Sequence, residues 1–253
     1  MRTPPQLTLP SLLLLIVVAV VLMYFEQDGG QRDASRPVEP STRPTEQRPP
    51  ARNADIQNRS SAAFDYYSLV MSWSPTHCES EEGRDDHSQC APRNGRGYSF
   101  ILHGLWPQYT RGYPENCPVD STWIPQPVID RMLDIMPSKG LIIHEYRKHG
   151  TCSGLSPDEY YRLSRRLYDS IRIPERFRNP TAGQFMDPND VVRAFTAANT
   201  QLSPDMISVA CAGPGSRLRE VRICFSKDGA PRACGGNEDR LCRGSRMHVP
   251  PVR

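Results

Sequence analysis

Three regimes of hydrophobic patterning follow one another along the chain. Fourteen unbroken apolar residues, Leu12–Phe25, open it, with Arg2 before them and Glu26 and Asp28 after. That charge order reads as an export signal. At about 1.5 Å per residue a helix over residues 7–25 reaches roughly 28 Å, close to a bilayer core. No small-residue pair suited to cleavage follows Val20, so residues 1–25 are expected to be an N-terminal membrane anchor in preference to a removed signal peptide. Residues 26–63 contain no aromatic residue and repeat Pro, Arg, Gln, Glu, Ser and Thr, which predicts a disordered linker.

From residue 64 the patterns are those of a folded domain reaching residue 253. Tyr66–Trp73 is a β-branched and aromatic run stopped by Ser74-Pro75, and Tyr98–Leu102 is a second strand leading into His103-Gly104. Helical spacing covers Pro127–Met136, Leu141–Thr151 and Pro157–Ile171, the last with an apolar stripe of Tyr161, Leu163, Leu167 and Tyr168 behind a Ser156 cap. Asp187-Pro188 opens another helix, through Ala198. Strands return at Met206–Ala210 and at Leu218–Phe225, where apolar residues are mixed with Arg219, Glu220 and Arg222. Strands at both ends with helices between them predict an α+β domain built on an antiparallel sheet with flanking helices.

Composition sharpens this picture in two ways. The 25 prolines among 253 residues are about twice the usual share, and 5 of them fall within residues 26–63, the tract read as the linker. A net charge of +3, from 31 basic and 28 acidic side chains, excludes a polybasic nucleic-acid coat. The charge is unevenly spread: residues 61–130 hold 4 basic and 9 acidic residues, and residues 131–253 hold 20 and 13. The second half is therefore the better surface for an anion. All eight cysteines follow residue 77, an even number without paired C-x-x-C knuckles, which predicts four disulfides formed outside the cytosol rather than a zinc ribbon.

Three of six histidines fall in two short segments: His103 in Phe-Ile-Leu-His-Gly-Leu-Trp-Pro-Gln-Tyr, and His144 and His149 in Ile-Ile-His-Glu-Tyr-Arg-Lys-His-Gly-Thr-Cys. A zinc protease needs its histidines four apart on one helical face; these are five apart, about 140° around a helix. Glu145 with His149, and His144 with Lys148, do share faces at that spacing. A single histidine is more often a packed or solvated side chain than a catalyst. Two imidazoles, a carboxylate and an ammonium on one segment, with a third imidazole at a strand end, suit metal-free phosphodiester chemistry. One histidine removes a proton from an attacking hydroxyl, another supplies one to the leaving oxygen, and the charged groups flank the phosphorus. Within a nucleic acid the internal nucleophile available to such a site is the ribose 2'-hydroxyl.

At these residues the sequence resembles the ribonuclease T2 family, in Leu102–Pro107, in His144–Cys152 and in the opening Phe-Asp-Tyr-Tyr-Ser-Leu-Val-Met-Ser-Trp. The resemblance implies an exported, disulfide-bonded α+β endoribonuclease that needs no metal or cofactor. It implies cleavage of single-stranded RNA through a 2',3'-cyclic phosphate to 3'-phosphate ends, with low base specificity. By position, His103 becomes the general acid and His149 the general base, with Glu145 and Lys148 stabilising the pentacoordinate phosphorus and His144 binding phosphate. Trp106, Gln108 and Tyr113 become the base-binding candidates. The implied pairing is Cys78–Cys90, Cys117–Cys152, Cys211–Cys242 and Cys224–Cys234.

Two departures from the family pattern stand out. Tyr146 replaces a usual Trp and adds a hydroxyl that needs a partner, and Gln108 stands where many members are acidic. His77, His87 and His248 are expected at the surface. The partners expected are RNA and, through the N-terminal segment, a membrane; the chain is expected to be a monomer in the periplasm, anchored to the inner membrane or secreted. Two readings from other classes stay open on the residues alone: a catalytically silent RNA-binding or interaction module, and a zinc hydrolase.

Overall fold

A computed structural model of the chain describes residues 63–91, 95, 97–213 and 215–253. The expected anchor at 1–25 and nearly all of the linker at 26–63 lie outside the described residues. Among the described residues no helix is long and apolar enough to cross a membrane.

Among the described residues six strands form one sheet: β1 (Tyr66–Trp73), β2 (Phe100–Gln108), β3 (Gln184–Met186), β4 (Ile207–Ala212), β5 (Arg217–Phe225) and β6 (Met247–Val249). Their order is β2-β1-β5-β6-β3, with β4 also paired to β5. β1 runs antiparallel to both β2 and β5, and β5 meets β6 through one parallel pair. The helices are α1 (Ser74–Cys78), α2 (Glu81–Arg84), α3 (His87–Cys90), α4 (Gln126–Asp130), α5 (Lys139–Lys148), α6 (Pro157–Asp169) and α7 (Pro188–Ala198).

The period-two alternation of β1 gives the sheet two unlike faces. Tyr67, Leu69, Met71 and Trp73 enter the core beside Leu102 and Leu105 of β2 and Val221, Ile223 and Phe225 of β5. Helices α5 to α7 add Ile142, Tyr146, Tyr160, Tyr161, Val191 and Phe195 to that core. The alternate residues make a polar face: Ser68 lies between Trp106 and Cys224, Val70 between Gly104 and Arg222, and Ser72 between Ile101 and Glu220.

Several boundaries differ from the sequence reading. The second strand does not stop at Leu102 but continues to Gln108. β2 lies at the sheet edge, where Pro107 removes no ladder bond. Its register shifts so that Gly104 faces Val70 and Leu102 faces Met71, leaving His103 as the extra residue of a bulge. The helix expected over Pro127–Met136 is regular only over Gln126–Asp130. Beyond it the Ile135 carbonyl accepts from the Leu102 N–H of β2 (2.9 Å), and Pro137 disfavours helical backbone at Met136. The strand expected to start at Met206 starts at Ile207, since Pro204–Met206 is a 3₁₀ turn.

The Leu141–Thr151 helix starts earlier, at Lys139 behind a Ser138 cap, and ends at Lys148. Gly150–Ser153 follows as a 3₁₀ turn, closed by Gly154 at φ 74°. A side chain on Gly150 would stand 2.4 Å from the Tyr146 ring, so the glycine lets this turn fold onto the helix. The Tyr146 hydroxyl donates to the Leu155 carbonyl at 3.1 Å. Disulfides join Cys78 to Cys90, Cys117 to Cys152, Cys211 to Cys242 and Cys224 to Cys234.

Candidate active site

The bulge in β2 and the end of α5 meet at one point. A Cβ at residue 104 would lie 2.1 Å from Glu145 Oε2 and 2.6 Å from Trp106 Nε1. Glycine is thus what allows the helix carboxylate to approach the strand. Glu145 is almost fully buried; its Oε2 accepts from the Trp106 indole N–H at 2.7 Å and its Oε1 faces His103 Nε2 at 3.5 Å. Burial raises the Glu145 pKa, against the opposing pull of His103, the indole N–H, His144 and Lys148.

Trp106 touches both catalytic candidates. Its ring meets His103 edge-on with centroids 5.3 Å apart and stacks on His149 at 4.8 Å and 24°. His149 caps the C-terminus of α5, directly after Lys148, with φ −116° and ψ −45°, and donates its N–H to the Glu145 carbonyl at 2.9 Å. The helix ends at this residue, and its ring meets the indole.

The two imidazoles have opposite electrostatic surroundings. Burial, reinforced by the charges of Lys148, His103, His144 and Arg222, pushes His149 down to about 3. Burial also opposes charge on His103, but Glu220 and Glu145 outweigh it and hold His103 above the usual histidine value despite Arg219. One imidazole is thereby kept neutral and the other charged over a shared pH range.

Around this pair, His144 is exposed on α5. Lys148 Nζ lies 3.7 Å from Glu115 Oε2, both half-exposed, and the Lys148 carbonyl accepts from the Asn116 N–H at 2.7 Å. The Cys117–Cys152 bond fastens the same loop to the 3₁₀ turn behind His149. Tyr113, 52% exposed, brings its ring to 6.3 Å from His149.

Gln108 does not fit its expected role: it is 2% exposed, with Asn237 Nδ2 3.0 Å from its Oε1, so its side chain braces a loop instead of facing a base. His87 is exposed. His77 and His248, also expected at the surface, are half-buried; His77 Nε2 pairs with Asp86 at 3.1 Å and the His248 ring lies 4.8 Å from Phe185.

Glu220 and Arg222 escaped the sequence reading as site residues. Glu220 Oε1 faces His103 Nδ1 at 3.4 Å, while its Oε2 accepts from Arg222 Nε at 3.0 Å and Nη2 at 2.8 Å. The Arg222 guanidinium lies 4.8 Å from the centre of the Trp106 ring. The signal for them was a carboxylate and a guanidinium two residues apart in a strand, hence on one face.

Among the described residues, the group of metal-ligating side chains close enough to share an ion is Cys224, Cys234 and Glu238. Its two cysteines are bonded to each other.

Residues 64–234 match the model of the Ribonuclease T2 family. A ribonuclease of Aeromonas hydrophila is 36% identical over 180 residues, covering 66% of this chain and 74% of that protein. Ribonuclease I of Escherichia coli is 24% identical over 212 residues, 68% of this chain and 79% of its own. A probable ribonuclease of Haemophilus influenzae is 29% identical over 137 residues, 49% of this chain and 50% of its own. Among solved structures, the S-like ribonuclease trichomaglin superposes with a TM-score of 0.60 at 21% identity, covering 75% of this chain and 99% of that one. RNase NT, solved with 5'-AMP, gives 0.54 at 22%, over 75% of this chain and 99% of that one. At these identities the structural likeness concerns the fold.

Proposed function

This chain belongs to the ribonuclease T2 family, and on that premise we propose that it is an endoribonuclease cutting single-stranded RNA, with little base preference, by metal-independent transesterification. The observation that carries the reading is the contrast between the two imidazoles touching Trp106: His149 is kept neutral and His103 is held protonated.

Neutral His149 takes the proton of the ribose 2'-hydroxyl as that oxygen bonds to phosphorus. The electron pair of the P–O5' bond leaves with the 5'-oxygen, which takes a proton from His103. The products are a 2',3'-cyclic phosphate and a 5'-hydroxyl. His149 now carries a proton and His103 lacks one, so the second step runs with roles exchanged. His103 deprotonates a water that attacks phosphorus, and His149 protonates the departing 2'-oxygen to leave a 3'-phosphate.

Glu145 and Lys148 stabilise the pentacoordinate phosphorus, Lys148 exchanging Glu115 for a phosphate oxygen, and exposed His144 binds phosphate. Tyr113 offers a surface on which a base stacks without selection, whereas the Trp106 ring, a base-binding candidate by position, is already met by His149 and Arg222. The enzyme works as a monomer outside the cytosol, where four disulfides persist. Its place is the periplasm, held at the inner membrane by residues 7–25.

The test is direct. His103→Phe and His149→Phe should each lower turnover by at least about a hundredfold, the scale of a lost general acid or base. An oligonucleotide with one 2'-deoxy sugar at the scissile position should resist cleavage there. EDTA should leave cleavage of ordinary RNA unchanged. Near-normal turnover in either folded variant, or normal cutting of the deoxy substrate, would overturn the assignment.

A further inference from the structure

The imidazole of His103 has two nitrogens in unlike surroundings. Nδ1 is sealed from solvent without a hydrogen bond of good geometry, and the acceptor that faces it is Glu220 Oε1 at 3.4 Å. Nε2 points toward the Glu145 side of the site, and the ring as a whole keeps 31% of its surface exposed. The proton given to a leaving oxygen therefore has to come from Nε2.

Glu220 itself is buried and held from behind. Arg222 forks both Nε and Nη2 onto Oε2, at 3.0 and 2.8 Å, which leaves Oε1 turned to His103, with Arg219 Nε 3.5 Å from it. β5 places these residues by register: Ser72 separates Glu220 from β2, and Val70 separates Arg222 from Gly104. The same guanidinium lies over Trp106, the ring that touches both histidines.

We infer that Glu220, clamped by Arg222, is a positioning residue for His103: it holds the ring through Nδ1, keeps a proton on that nitrogen and directs Nε2 at the leaving oxygen. The inference rests on the reading of His103 as general acid. A carboxylate behind a working imidazole fixes both tautomer and orientation, and it raises the proton affinity of the ring. The charged and titratable groups facing His103 are Glu220 and Arg219 from β5, Glu145 from α5 and His149 just after it; Arg222 acts through Glu220. Glu220, lowered to about 2 by His103, Arg222 and Arg219 in spite of its burial, stays ionised wherever His103 titrates.

Glu220→Gln keeps the shape and removes the charge. Turnover of single-stranded RNA should fall about 10- to 100-fold, the usual scale for a lost orienting partner, with KM little changed. The alkaline limb of kcat/KM should move to lower pH, and the His103 titration followed by NMR should move with it. Glu220→Asp, which keeps the charge, should restore part of that shift. A merely structural role would lower activity without moving the titration, and a variant in which His103 titrates as in the parent overturns the inference. One measurement needs no variant: above its titration, His103 of the full chain should show the ¹⁵N pattern of an Nδ1–H tautomer. An Nε2–H tautomer overturns the inference as well. Full activity in His103→Phe would instead remove the acid assignment, so the two failures are distinguishable.

Discussion

In the proposed mechanism the two imidazoles that touch Trp106 must disagree about a proton, and the pH dependence of the enzyme follows from that. The base has to be unprotonated, and burial with nearby cations pushes His149 down to about 3. The acid has to be protonated, and two carboxylates hold His103 above the ordinary histidine range against the cost of burial. Activity should therefore rise on a limb far below pH 6, hold through mildly acidic pH and fall on a limb above the usual histidine value. A kcat/KM profile on a short RNA checks both limbs. An acid limb between pH 6 and 7 would show that His149 is not the isolated base. At this scale the two histidine segments were legible because several chemistry-bearing residues crowd into few positions. Glu220 and Arg222 were not, because charges in a strand ordinarily mark its solvated face. Here that face is closed over, with Glu220 only 3% exposed, and the reading needed the pairing of β5 with β1.

His103 stands on an edge strand, and a helix hydroxyl braces that strand. Tyr160 of α6 donates to the Leu105 carbonyl at 2.9 Å and accepts from the Leu105 N–H at 3.3 Å, two residues beyond the bulge. Those are the backbone groups that an edge strand otherwise exposes, and here they are buried with the tyrosine. Tyr160→Phe would leave both without a partner and should cost about 2 to 4 kcal/mol, on the scale of about 1–3 kcal/mol for each unsatisfied group. Urea unfolding measures this directly, and a loss below about 0.5 kcal/mol would show that the hydroxyl does not brace the strand. Element identity was largely readable from hydrophobic period, but the ends were decided by tertiary contacts. Ile135 gives its carbonyl to β2, and Gly150 folds under Tyr146. The three-residue strands β3 and β6 carry no alternation long enough to show in sequence.

Across the whole molecule, the described domain is tied by four disulfides, and Cys117–Cys152 closes a separation of 35 residues directly behind His149. Loop closure of that length contributes roughly 3 to 4 kcal/mol by chain entropy, so the loop carrying Tyr113 and Glu115 depends on an oxidising compartment. In the proposed reading the apolar run Leu12–Phe25 supplies the route to one, its charge order being that of an exported segment. With both features assigned to export, as proposed, what should be found in cells follows. The protein should fractionate with membranes and keep an intact Met1 by mass spectrometry. Unfolded without reductant, it should offer no reactive thiol. High-salt washing should not release it, because a continuous apolar segment is held by burial rather than by charge. A mature start between about residues 20 and 35 would replace the anchor by a cleaved signal and make the enzyme a freely soluble exported ribonuclease. A titratable thiol at Cys117 or Cys152 would break the link between compartment and site instead, because the loop behind His149 would then stand without its bond.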